Sequence, residues 1–239
     1  MLSDGIIYTG SGAITSGIEN EHSLKAVITF IKEHFRTFAE DNKGSLDMNE
    51  KGLSQKLCIA LNRKAKKHPF FFHSEYMENV DSGNSPQVDI GTLSEEEKIV
   101  ISDREYNEDD SFFSIEAKRL PTPGKNREKE YVVGLDSPSG AMERFKKGIH
   151  GPHLKYAAII AYVQNETFEH WFLKINSWIE ELASDMLQTL WTNKDKIEKA
   201  DETDKLIIHL LSENSRIIDG VNLDDIKLFH FWVNLLPDS

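Results

Sequence analysis

The chain has 239 residues, 39% of them hydrophobic and 10% aromatic, and a formal net charge of −12. That is enough apolar material for one sizeable domain or a domain with an extension, while the acidity excludes a general polyanion binder acting by bulk attraction. A single cysteine, Cys58, excludes an internal disulfide, no basic-then-apolar leader is evident after Met1, and the longest apolar stretch, Tyr156 to Val163, is too short for a bilayer, so a cytoplasmic protein without a membrane partner is expected.

Residues 1–17 are rich in Gly, Ser and Thr and read as an irregular lead-in. Gly10-Ser11-Gly12 is similar to part of a dinucleotide-binding turn, but Thr15 stands where the third glycine belongs, so the signal is weak. From Ser23, apolar residues at Leu24, Val27, Ile28, Ile31, Phe35 and Phe38 predict an amphipathic helix. A second helix follows, with Leu53, Leu57 and Leu61 on its apolar face. Asp47 is a candidate N-cap, with Glu50 three residues later completing a capping box. Arg63, Lys64, Lys66 and Lys67 suit its C-terminal end.

Pro69 marks a change of period. Phe70 to Tyr76 and Val88 to Leu93 read as strands, separated by a turn at Asp81–Asn84. Ser94 to Asp110 carries two lysines or arginines against eight acids and reads as a hairpin excursion with a short strand at Ile99–Ile101. Phe112 to Leu120 is the third main strand. A short helix opens near Pro138 and runs through Met142, Phe145 and Ile149, and Tyr156 to Gln164 is a fourth, central strand. Beyond it, Trp171, Ile175, Trp178 and Leu182 form one helical stripe, and Leu206–Leu211 and Ile226–Leu236 are expected to complete a helical or mixed tail, within a mostly helical extension over residues 166–239.

Two strings stand out: Pro86-Gln87-Val88-Asp89-Ile90-Gly91 and Ser114-Ile115-Glu116-Ala117-Lys118-Arg119-Leu120. Residues two apart on a strand share a face, so Glu116 and Lys118 point the same way, and Asp89 joins them if the strands are neighbours. Two carboxylates and an ammonium at one place suit metal-dependent phosphodiester chemistry. The competing reading is ordinary alternation, with Phe113, Ile115 and Ala117 inside and Ser114, Glu116 and Lys118 in water. The acid-x-Lys triplet by itself discriminates little, since the chain contains it four times. Glu116-Ala117-Lys118 alone follows an acid-bearing strand at hairpin distance. It also heads the basic segment Lys118–Lys155, which holds nine lysines and arginines against four acids.

The Pro-x-x-Asp-Ile-Gly string, Ile-Glu-Ala-Lys-Arg-Leu, the helix ending Glu143-Arg144-Phe145-Lys146-Lys147-Gly148 and the strand Ala-Ala-Ile-Ile-Ala-Tyr-Val together resemble the PD-(D/E)XK nuclease superfamily, and within it small restriction-endonuclease-like members from bacteria and mobile elements. The resemblance spans roughly Asp47 to Gln164. One departure is that Pro86 lies three residues before Asp89 instead of adjoining it. The resemblance implies an α/β fold with an αβββαβ core, a four-stranded mixed sheet flanked by helices over residues 18–165.

It also implies roles. Asp89 and Glu116 would coordinate Mg²⁺, with Mn²⁺ as a substitute, and the Ala117 carbonyl could add a ligand. Lys118 would orient the attacking water or neutralise charge on the phosphate. Glu50 matches a first-helix acid of many relatives, in competition with its reading as a cap residue, and Glu75 is a weaker alternative. Arg119, Arg144, Lys146 and Lys147 are candidates for contacts to backbone phosphates, and Gln164 either approaches the site or faces solvent. The function implied is a Mg²⁺-dependent nuclease, acting on DNA more than RNA, in phage defence or restriction. The alternative is a non-catalytic subunit of the same fold that binds nucleic acid or a partner protein. Because a chain of this charge binds bare DNA weakly, a homodimer or recruitment by a partner is expected. His150 and His153 lack the further ligands a zinc site needs and read as loop residues, and Cys58 reads as core.

Overall fold

A computed structural model describes residues 16–79, 85–101, 103–185, 188–200, 204–218 and 220–237. The Gly10-Ser11-Gly12 string and the Asp81–Asn84 turn lie outside these. Helix α1 (Ser16–Asp41) starts seven residues ahead of the expected Ser23. Its stripe is buried at Leu24, Val27, Phe30, Ile31, Phe35 and Phe38, with Ile28 half-buried. Each such fully buried side chain contributes about 1.5–3 kcal/mol. Phe30 meets Phe70 edge-on at 5.4 Å, and Phe35 meets Phe231 at 5.3 Å.

Helix α2 (Glu50–Ala65) is capped by Asn49, whose side chain accepts from Gly52 N at 2.8 Å. The expected Asp47–Glu50 capping box is therefore incorrect. The cap falls one residue before Glu50, which leaves the Glu50 side chain free for another task. Leu53, Leu57 and Leu61 are buried as expected.

Seven strands make one mixed sheet in the order β1-β2-β5-β6-β9-β8-β7. These are β1 (Phe70–Met77), β2 (Gln87–Ser94), β5 (Phe113–Leu120), β6 (Tyr156–Val163), β7 (Glu198–Lys199), β8 (Ile207–Ile218) and β9 (Val221–Asn234). The acidic excursion forms a separate two-stranded hairpin, β3 (Lys98–Ile101) with β4 (Arg104–Asn107). β5, β6 and β9 run parallel, and the other pairings are antiparallel. β6 sits between parallel neighbours and is buried from Ala157 to Val163, as its unbroken apolar run requires. A 3₁₀ helix (Lys125–Tyr131) and helix α3 (Ala141–Lys146) connect β5 to β6, and helix α4 (Phe168–Ala183) follows β6. Thr167 caps α4 by accepting from His170 N, and Trp171, Ile175 and Trp178 are buried with Leu182 half-buried.

The expected helical extension over 166–239 is corrected beyond α4. Ile207–Ile218 and Val221–Asn234 form a long hairpin that, with the short β7 on its outer edge, widens the four-stranded sheet to seven. The inward positions of β8 are Ile208, Leu210, Ser212, Asn214 and Arg216, all buried. Three of the five are polar, so the period-two signal of this strand is invisible in hydropathy. Their burial is matched by partners, save at Asn214 Oδ1, which has none among the described residues. Tyr131 OH meets His230 Nδ1 at 2.7 Å, His230 Nε2 meets Ser212 Oγ at 2.8 Å, and Trp232 Nε1 donates to Tyr131 OH. Burial pushes the His230 imidazole down to about 3. Arg216 donates to the carbonyls of Pro152 and Leu154 at 3.1 and 3.0 Å, fastening the turn after α3 to the hairpin. No helix among the described residues is long and apolar enough to cross a membrane.

Candidate active site

Asp89 sits at a double interruption of the sheet. Pairing of β1 with β2 skips the Glu75/Asp89 position, where Glu75 adopts φ 52, a left-handed conformation costly for a non-glycine residue. Pairing of β2 with β5 ends at Ile90/Ile115, one step before Asp89 would face Glu116. The carboxylate takes over where the ladder stops, with Asp89 Oδ2 accepting from Ala117 N at 2.7 Å. Asp89 also lines a cavity of about 80 Å³ with Lys51, Ser54, Gln55, Ser74 and Glu75.

Glu116 and Lys118 share a face of β5 as their spacing requires, but that face is not in water. They are only 2% and 5% exposed, which overturns the ordinary-alternation reading. Lys118 Nζ donates to Glu116 Oε1 at 3.1 Å and to Glu50 Oε1 at 3.3 Å. Glu50 Oε2 accepts from Arg119 N at 3.1 Å. Asn49 capping thus turns the first side chain of α2 onto β5. Gln164, at the end of β6, donates to the carbonyls of Ser45 and Met48 and holds the segment that leads into Glu50, so it is not solvent-facing. Glu75 instead pairs with Lys51 at 2.6 Å.

The charges are strongly interdependent. Burial raises the Asp89 carboxyl, Glu116 and Glu50 raise it further against the opposing pull of Lys118, and it lies at about 7. Burial also opposes ionisation of Glu116, but the charges of Lys118 foremost and of Arg144 hold that carboxyl below its ordinary value. Burial disfavours the Lys118 ammonium, and Glu116, Glu50 and Asp89 more than restore it, so Lys118 stays charged.

His150 and Glu78, which sequence reasoning left out of the site, belong to it. His150 Nε2 lies 3.5 Å from Glu116 Oε2, and its Nδ1 lies 3.1 Å from Glu78 Oε2. Arg144 Nη1 donates to Glu116 Oε1 at 3.2 Å. The basic segment was a fair signal for Arg144, whereas nothing local marks Glu78. His153 does not join the cluster; its ring sits 5.9 Å from that of Tyr106. Cys58 is buried, and burial pushes its thiol up to about 11, consistent with core.

The four expected phosphate contacts separate. Lys146 is fully buried, bonded to Asp195 at 2.5 Å and to the Ser215 carbonyl at 2.8 Å, so it cannot reach a phosphate. It faces inward because α3 packs that side onto β8 and the Trp191 ring. Arg119 Nη1 donates to the Met48 carbonyl. Arg144 turns inward onto Glu116, and Lys147 is partly exposed and paired with Glu143 at 2.7 Å.

The donor set is all carboxylate oxygen, the chemistry of a hard divalent cation, and the raised Asp89 carboxyl marks a surplus of negative charge that such a cation would relieve. As placed, Glu116 Oε1 is engaged by Lys118 and Arg144, and Oε2 lies 3.5 Å from His150 Nε2. Among the described residues no three His, Cys, Asp or Glu side chains converge on one metal position. A cation would therefore rest on Asp89 and Glu116, with main-chain oxygen and water filling the remaining positions. No known protein family, curated protein or solved structure matches this chain.

Proposed function

We propose that the chain is a metal-dependent nuclease that hydrolyses phosphodiester bonds, with DNA as the preferred substrate. The observation that carries this is the convergence of Asp89, Glu116 and Glu50 on Lys118 from β2, β5 and α2. Burying Glu116 and Lys118, with Asp89 and Glu50 half-buried beside them, costs several kcal/mol that a hydrophobic set would not. Buried ionisable clusters with strongly shifted protonation are more typical of sites than of scaffolding. The order α2, β1, β2, β5, α3, β6 fits the αβββαβ core of PD-(D/E)XK nucleases, with β3–β4 as an insertion and β7–β9 as an addition.

Asp89 and Glu116 would hold Mg²⁺ or Mn²⁺, with the Ala117 carbonyl as a further candidate; bound there, it would acidify a water and polarise a phosphate. Lys118, kept charged by its carboxylates, is suited to orient the nucleophile or to neutralise charge on the phosphate. Glu50 fixes both Lys118 and the main chain at Arg119.

A second reading is a non-catalytic subunit that binds nucleic acid or a partner protein, favoured by the engagement of Glu116 Oε1 with the cationic side chains of Lys118 and Arg144. One assay separates the two. Purified protein is incubated with plasmid, single-stranded DNA and RNA, with Mg²⁺ or with EDTA. The nuclease reading expects Mg²⁺-dependent cleavage that disappears in Asp89→Ala and Lys118→Met. Cleavage unchanged by either substitution sinks it, and tight binding without cleavage favours the second reading.

A further inference from the structure

Glu78 lies just past β1, with its side chain 8% exposed. One carboxylate oxygen accepts from Gly151 N at 2.8 Å and from Ser114 Oγ at 3.4 Å, and the other meets His150 Nδ1 at 3.1 Å. A carboxylate only accepts, so Nδ1 carries the hydrogen. In the neutral ring Nε2 is then an acceptor, and Arg144 Nη1 lies 3.1 Å from it.

The imidazole has little freedom. Gly148 and Gly151 flank His150 with φ 60 and φ 50, and a Cβ on Gly151 would meet the Leu154 side chain at 2.6 Å. Arg216 fastens the 151–154 turn, and the Phe145 ring lies edge-on to the imidazole at 5.9 Å. His150 itself is 1% exposed.

Counting hydrogens on Arg144 shows what this achieves. Nη1 donates to Glu116 and His150, and Nε donates to the Pro138 carbonyl at 3.2 Å. The two hydrogens of Nη2 have no partner among the described residues, and the side chain is 29% exposed. Three of five N–H groups are anchored, and the remaining two are on the arginine that links buried Glu116 to the surface.

We propose that Glu78 and His150 are positioning residues, a carboxylate–imidazole pair that fixes Arg144 against Glu116 so that its outer N–H groups bind a phosphate oxygen of the nucleic-acid backbone beside the reacting position. This rests on the nuclease reading. An orienting partner of this kind affects activity by about 10–100-fold when removed.

The test uses the full chain. Kinetics on a DNA duplex with Mg²⁺ are measured for wild type, His150→Ala, His150→Gln, Glu78→Gln, Arg144→Ala and the His150→Ala/Arg144→Ala double variant. Mn²⁺ affinity is measured by electron paramagnetic resonance, and the His150 ring nitrogens are observed by ¹⁵N NMR. Expected are a 10–100-fold fall in kcat for His150→Ala and Glu78→Gln with Mn²⁺ affinity within threefold, partial rescue in His150→Gln, and a double variant no worse than Arg144→Ala. The wild-type ring is expected protonated at Nδ1. Full activity in Glu78→Gln, additive losses in the double variant, or a hydrogen on Nε2, with or without one on Nδ1, each overturn the proposal. If wild type neither binds Mn²⁺ nor cleaves, the nuclease reading fails by itself, and the tautomer in wild type and Glu78→Gln still decides whether the Glu78–His150 pair exists.

Discussion

Removing the charge of Asp89 should stabilise the protein at alkaline pH. In an unfolded chain its carboxyl titrates near 3.8, and in the folded protein burial, Glu116 and Glu50 raise it to about 7. A raised carboxyl favours the folded state when protonated. Its contribution is therefore fully present below pH 3.8 and is lost as the pH rises through about 7. A difference of roughly three pKa units corresponds to about 4 kcal/mol, and allowing for water reaching the cavity beside Asp89, about 2–4 kcal/mol is expected. Asp89→Asn keeps the acceptor for Ala117 N and removes the charge. For a chain of this size, its melting temperature should exceed wild type by about 5–15 °C at pH 8.5 and by little at pH 4. Thermal unfolding followed by circular dichroism across this range reads the effect. Mg²⁺ at a hundredfold excess over its Kd should recover about 2.7 kcal/mol in wild type and less in Asp89→Asn. A pH-independent difference, or an Asp89→Asn less stable than wild type at pH 8.5, refutes the reasoning.

Other substitutions separate site from scaffold. Lys146→Met strands Asp195 in a fully buried position and should cost about 3–5 kcal/mol in urea unfolding while leaving nucleic-acid affinity unchanged. Lys147→Ala, by contrast, loses only a partly exposed pair with Glu143 and should change stability by less than about 1 kcal/mol. Gly91→Ala places a Cβ 2.6 Å from the Tyr76 ring and should cost about 1–3 kcal/mol by chemical denaturation, since the β1–β2 ladder must spread to admit it. Tyr131→Phe removes the acceptor of Trp232 Nε1 and the partner of His230 Nδ1, and should cost about 1–3 kcal/mol in the same assay.

Local pattern alone determined much of the first two thirds of the chain. The 3.6-residue stripe of α1, the apolar face of α2, the strands around Asp89 and Glu116 and the unbroken apolar run of β6 all follow from side-chain periodicity, which burial must respect. Periodicity could place Glu116 and Lys118 on one face, but not say whether that face met water or protein. Only tertiary structure decided that, by carrying α2 and the α3–β6 turn across β5. The same limit applies to Glu50, whose release from a capping role depends on Asn49 taking the cap, and to Lys146 and Arg144, two residues apart yet one locked onto Asp195 and the other onto Glu116. Glu78 and His150 are 72 residues apart in sequence and meet because β1, β5 and the turn after α3 converge at one end of the sheet. β8 and β9 escaped the reading because Ser212, Asn214, Arg216 and His230 fill inward positions. Polar groups can be buried there once hydrogen-bond partners arrive from distant segments, and no local window contains those partners.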